Sequence, residues 1–79
     1  MEVQHVRDHL YKIEHPECEI TIEERPPYCD RGRYIVKVFP RGKLALSFDH
    51  QDGFPRYYFS WKNMLEEIEA WMDARNLTQ

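Results

Sequence analysis

The chain contains only two cysteines, Cys18 and Cys29, in 79 residues. That is too few for a disulfide scaffold, and their spacing is not the C-x-x-C of a redox or metal motif. Gly32, Gly42 and Gly53 are its only glycines, and they are scattered. Phosphate-cradling and dinucleotide-binding loops need clustered glycines, so both are excluded. No apolar run approaches the ~18 residues of a membrane span. The opening Met1-Glu2-Val3-Gln4-His5 lacks the apolar stretch of a secretory signal. The expectation is a cytoplasmic protein with both thiols reduced: Cys18 in the core of a strand, Cys29 in a loop. No repeat, linker or low-complexity tract interrupts the chain.

What is present is globular in character: 42% hydrophobic and 32% charged residues. A length of 79 residues makes residues 1–79 one domain. So short a chain leaves little interior for an enclosed pocket. Charge is unevenly spread. Residues 1–24 carry a net −5, residues 25–62 a net +5 and residues 63–79 a net −3. The basic middle is suited to steering an anionic partner.

Val3, Val6, Leu10 and Ile13 recur at helical spacing, so residues 2–13 read as an amphipathic helix ended by Pro16. Residues 18–23 alternate, with Cys18, Ile20 and Ile22 on one side, and read as a half-buried strand. Pro26 and Pro27 then break the chain into a loop. Residues 33–39 and 43–49 read as two strands joined by Pro40-Arg41-Gly42, a three-residue hairpin turn. That turn pairs Val38 with Leu44, Val36 with Leu46 and Tyr34 with Phe48, placing all six on one face. Asp49-His50-Gln51-Asp52-Gly53 reads as a second turn, and residues 54–59 as a fourth strand. In that strand Tyr57 and Phe59 join the core, while Arg56 and Tyr58 point away. Ser60 caps a final helix whose stripe is Trp61, Met64, Leu65, Ile68, Trp71 and Met72. Asn76 suits its left-handed end. The fold expected is α+β, in the order αββββα. It is an antiparallel meander with the C-terminal helix packed on one face.

The other sheet face would then carry Ile35, Lys37, Phe39, Lys43, Arg56 and Tyr58. Such a mixture of apolar anchors and basic rim suits a protein interface. The leading expectation is a small non-catalytic interaction module, homodimeric through this face. The alternative is a nucleic-acid-binding module. In it bases stack on Phe39 and Tyr58, and Lys37 and Arg56 attract phosphate. A third reading takes the acidic residues, among them Glu66, Glu67, Glu69 and Asp73, as a mimic that inhibits a nucleic-acid enzyme. No cofactor, metal or membrane partner is expected. His5 and His9 share a helical face at metal-ligand spacing, but no third ligand follows at a fixed distance. No acid, base and nucleophile group together, so no enzyme is expected.

Overall fold

The structure, a computed structural model, describes residues 2–48 and 54–77. Among these residues five strands and two helices follow in order. They are β1 (Gln4–Arg7), β2 (Leu10–His15), β3 (Cys18–Glu24), β4 (Tyr34–Pro40), α1 (Gly42–Ser47), β5 (Arg56–Tyr58) and α2 (Trp61–Ala74). The strands form one open antiparallel sheet in sequence order, β1-β2-β3-β4-β5, so the α+β meander is as expected. The element order is not.

The amino-terminal segment is a β-hairpin rather than a helix. Asp8 adopts a left-handed φ of 41°, which Asp tolerates in a tight turn. The His5 ring Nε2 donates to the Asp8 carbonyl at 2.9 Å across that turn. Helical spacing of four apolar residues is outweighed by the pairing available to the strand. β2 matches all six of its residues to β3, from Leu10↔Glu23 to His15↔Cys18. Val3, Val6, Tyr11 and Ile13 are also better suited to a pleated surface than to a helix. Pro16 and Glu17 make the β2–β3 turn, where the Glu17 N–H donates to His15 Nδ1 at 3.0 Å.

The second departure is in the strand expected at 43–49, whose described residues, 43–48, do not form one. Lys43, Leu44, Ala45 and Leu46 are strong helix formers, and the segment is the short helix α1. Leu44 alone among them is buried, and Leu46 is 89% exposed. The hairpin pairing of Val36 with Leu46 is therefore replaced. β5 pairs directly with β4, through Tyr34↔Tyr58, Ile35↔Tyr57 and Val36↔Arg56. The expected turn at Asp49–Gly53 lies outside the described residues.

Paired residues in an antiparallel sheet share a face. One face therefore carries Ile13, Cys18, Ile20, Ile22, Val36, Val38 and Tyr58, all buried. Onto it pack Leu44 and the α2 stripe Met64, Ile68, Trp71 and Met72. Trp61 stands edge-on to Tyr11 at 5.1 Å and to Tyr34 at 5.3 Å, tying the start of α2 to two strands. Trp71 meets Phe54 at 5.2 Å and Phe48 at 6.4 Å at the other end.

Both ends of α2 follow the sequence signals. The Ser60 hydroxyl accepts from the Asn63 N–H. Asn76 takes a φ of 58°, its N–H donates to Asp73 O, and the Leu77 N–H donates to Met72 O. This doubly bonded stop buries Leu77 in the core. Gly32 holds the loop before β4 against β5. A Cβ there would lie 2.7 Å from the Tyr58 carbonyl oxygen, and its φ is +147°.

Candidate functional site

The second face of the sheet has no described helix over it. Strand pairing arranges its side chains in rows. Leu10, Glu23, Ile35 and Tyr57 form one row across β2, β3, β4 and β5. Lys12, Thr21 and Lys37 form the next, and Glu14, Glu19 and Phe39 the third. Phe39 is half exposed, and Ile35 and Tyr57 are partly covered by their neighbours.

Charge on this face is graded along the strands. At the third row Glu14 lies directly opposite Glu19, a like-charge pair that needs cations nearby. Lys12 Nζ sits 3.1 Å from Glu14 Oε1. Arg41 Nη2 reaches Glu14 Oε2 at 3.1 Å and Glu19 Oε2 at 3.8 Å. The hydrogen bonds from Lys12 and then Arg41 hold the Glu14 carboxyl below its usual range.

The other end is basic. Arg25 and Arg33 extend β3 and β4 by one bonded pair, the Arg25 N–H donating to the Arg33 carbonyl. The Arg25 and Arg31 guanidinium carbons lie 5.5 and 5.7 Å from the centre of the Tyr57 ring. Arg33 Nη2 donates to Glu24 Oε2 at 3.1 Å, and His9 Nδ1 lies 3.4 Å from Glu24 Oε1.

Of the six residues expected on one docking face, three are there: Ile35, Lys37 and Phe39. Lys43 is exposed on α1 instead. Arg56 and Tyr58 are on the covered face, with Tyr58 buried and the Arg56 guanidinium 5.0 Å from the Phe54 ring. Tyr57, expected in the core, is on the uncovered face, and Phe59, also expected in the core, is 64% exposed. The physical cause is a single change of partner. When β5 pairs with β4 rather than with residues 43–49, every side chain in it changes face. Lys37, Phe39, Arg56 and Tyr58 therefore do not form one platform for stacking bases. Glu14, Glu19 and Glu23 also share the face of Lys37 and Phe39, where they would repel phosphate.

Sequence reasoning missed Leu10, Lys12 and Tyr57 on this face, together with the arginine end. The signal for the first two was available in the alternation of Leu10, Lys12 and Glu14 against Tyr11, Ile13 and His15. Arg25, Arg31 and Arg33 were legible only as a local excess of positive charge.

Cys18 is buried, and burial pushes its thiol above the ordinary cysteine value. Cys29 is in the loop and half-buried. Among the described residues, no three His, Cys, Asp or Glu side chains converge as a metal site. No helix among them is long and apolar enough to cross a membrane. No protein-family model matches the chain, and neither a curated protein nor a solved structure matches it.

Proposed function

We propose that the protein is a small non-catalytic interaction module that pairs with a second copy of itself through the uncovered face of the sheet. The observation that carries this reading is the graded charge of that face. Its acids Glu14, Glu19 and Glu23 are offset by the bases Lys12, Lys37, Arg25 and Arg33, so the face does not share the net −3 of the chain. The acidic end and the basic end lie at opposite ends of the same strands.

A two-fold axis lying in this face, across the strands, reverses strand direction in the second copy. Such an interface is self-complementary by symmetry. It places Glu19 of one copy over Arg25 of the other, twice, and the Phe39 ring over Arg33. Between these ends Ile35 meets the aliphatic stem of Lys37, an arrangement in which lysine covers apolar surface and keeps its charge in water. Sheets packed face to face in this way keep their strands within about 30° of one another.

Light scattering over a range of concentrations tests the reading. The expected mass is that of two chains, falling to one chain in Ile35→Asp with an unchanged circular dichroism spectrum. Glu19→Arg should weaken association, and adding Arg25→Glu in the same chain should restore it. A wild-type protein that stays a monomer at all concentrations overturns the reading. So does an Ile35→Asp variant that remains paired, or a charge swap that fails to rescue.

A further inference from the structure

β1 is one edge of the sheet, and it is held by little. All four of its residues are exposed, whereas β2 beside it buries Ile13 in the core. Its pairing with β2 shifts register between His5 and Arg7, while β2 meets β3 over six residues without a break. The turn that joins β1 to β2 runs through Asp8 at a φ of 41°, uncommon for a residue with a Cβ. The His5 ring lies 5.1 Å from Tyr11, and Val3, just before the strand, is partly buried against the core. An element with exposed backbone bonds and so few buried contacts opens before the rest of a domain. We propose that β1 is a removable cover, and that its release lets β2 pair edge to edge with β2 of a second copy.

The edge beneath is defined by the alternation of hydrogen bonds. The Glu24 N–H donates to the His9 carbonyl, so His9 and Glu24 are a bonded pair. Every second residue onward, Tyr11, Ile13 and His15, therefore turns its backbone groups to β3. Leu10, Lys12 and Glu14 turn theirs the other way, to the side where β1 lies. With β1 in place Lys12 is matched by Gln4 and Leu10 by Arg7. With β1 released, these groups form an edge in continuous register, the kind that templates a further strand. The short length and shifted register of β1 blunt the edge of the closed molecule.

The charges of β2 choose the register for a second copy. Outward-bonding residues must meet outward-bonding residues, so the two-fold axis of an antiparallel pair passes through a residue and not between two. An axis at Lys12 or at Glu14 sets like charges side by side. An axis at Tyr11 sets Lys12 opposite Leu10. An axis at Ile13 sets Lys12 of each copy opposite Glu14 of the other, and Ile13 against Ile13. Opposite charges and matched apolar residues are what favour a cross-strand pair. Lys12 already holds Glu14 of its own chain at 3.1 Å, so it exchanges one glutamate for another, and Arg41 stays on Glu14.

The inference does not rest on the pairing of sheet faces, and it is tested in Ile35→Asp, where that pairing is removed. Native-state hydrogen exchange comes first. The Lys12 amide should exchange at least about tenfold faster, corrected for intrinsic rate, than those of Ile20 and Ile22, which bond to β2 itself. Asp8→Pro, added to the same chain, then dislodges β1, because proline fixes φ near about −65°. Light scattering should show the mass rising with concentration from one chain to two. The near-ultraviolet dichroism of Trp61 and Trp71 should be retained. In that double variant, Lys12→Glu and Glu14→Lys should each weaken association by about tenfold when alone, and mixing the two proteins should restore it. Four results would each overturn the proposal: a Lys12 amide that exchanges only with global unfolding, loss of the tryptophan signal in the Asp8→Pro chain, a mass that stays at one chain, or a mixture that does not associate.

Discussion

The two faces of the sheet are made by alternate residues of the same strands, yet they follow different chemistry. On β3 the inward residues are Cys18, Ile20 and Ile22, all without exposure, and the outward residues are Glu19, Thr21 and Glu23. The inward set needs only bulk and branching, because α2 covers it with a stripe of equally apolar side chains. The outward set is held by charge. Glu14 and Glu19, forced side by side by register, are offset by Lys12 and Arg41. One side is specified by packing and the other by pairing. A substitution on one strand should therefore have effects that alternate in size from residue to residue.

The largest expected effect tests that alternation directly. Ile22→Ala removes a fully buried side chain and should cost about 2–5 kcal/mol in chemical denaturation. Glu23→Ala, the next residue on the same strand, should stay within about 0.5 kcal/mol. Similar losses at the two positions in the Ile35→Asp monomer would mean that another part of the same chain covers the outer face as thoroughly as α2 covers the inner one.

A smaller loss is expected where the two faces meet at the edge. Gly32→Ala places a Cβ against the Tyr58 backbone in a conformation that favours glycine. It should cost about 1–3 kcal/mol. A neutral result would show that the loop before β4 is not what seats β5 on the sheet.

The mildest measurement compares the thiols and changes no residue. Cys29 should react with a thiol reagent in the native protein. Cys18, buried on the inner face with its thiol pushed up by burial, should react only on unfolding. Equal rates would break the distinction between covered face and loop.

Some of the fold was legible from local pattern because its cause was local. Ser60 and Asn76 mark the ends of α2 through bonds to their own neighbours, and the stripe from Met64 to Met72 is a helical period over more than two turns. Cys18, Ile20 and Ile22 declare β3 by simple alternation. The candidate site was less legible. Ile35, Lys37 and Phe39 follow from β4 alone, whose inward Val36 and Val38 leave them outward. Tyr57 and Tyr58 exchange roles according to which strand β5 meets, and adjacent tyrosines give no local clue. Residues 2–13 satisfy a helical and a strand pattern together, and Lys43 to Leu46 satisfy both as well.

The sequence by itself determined the α+β class, the caps and buried stripe of α2, and the inward sides of β3 and β4. These depend on periodicity and on bonds between residues close in the chain. Only the tertiary structure decided that residues 4–15 form a hairpin, that α1 replaces a strand, and that β5 pairs with β4. Those choices rest on which distant backbone offers partners, and in a sheet one change of partner moves every side chain of a strand to the opposite face.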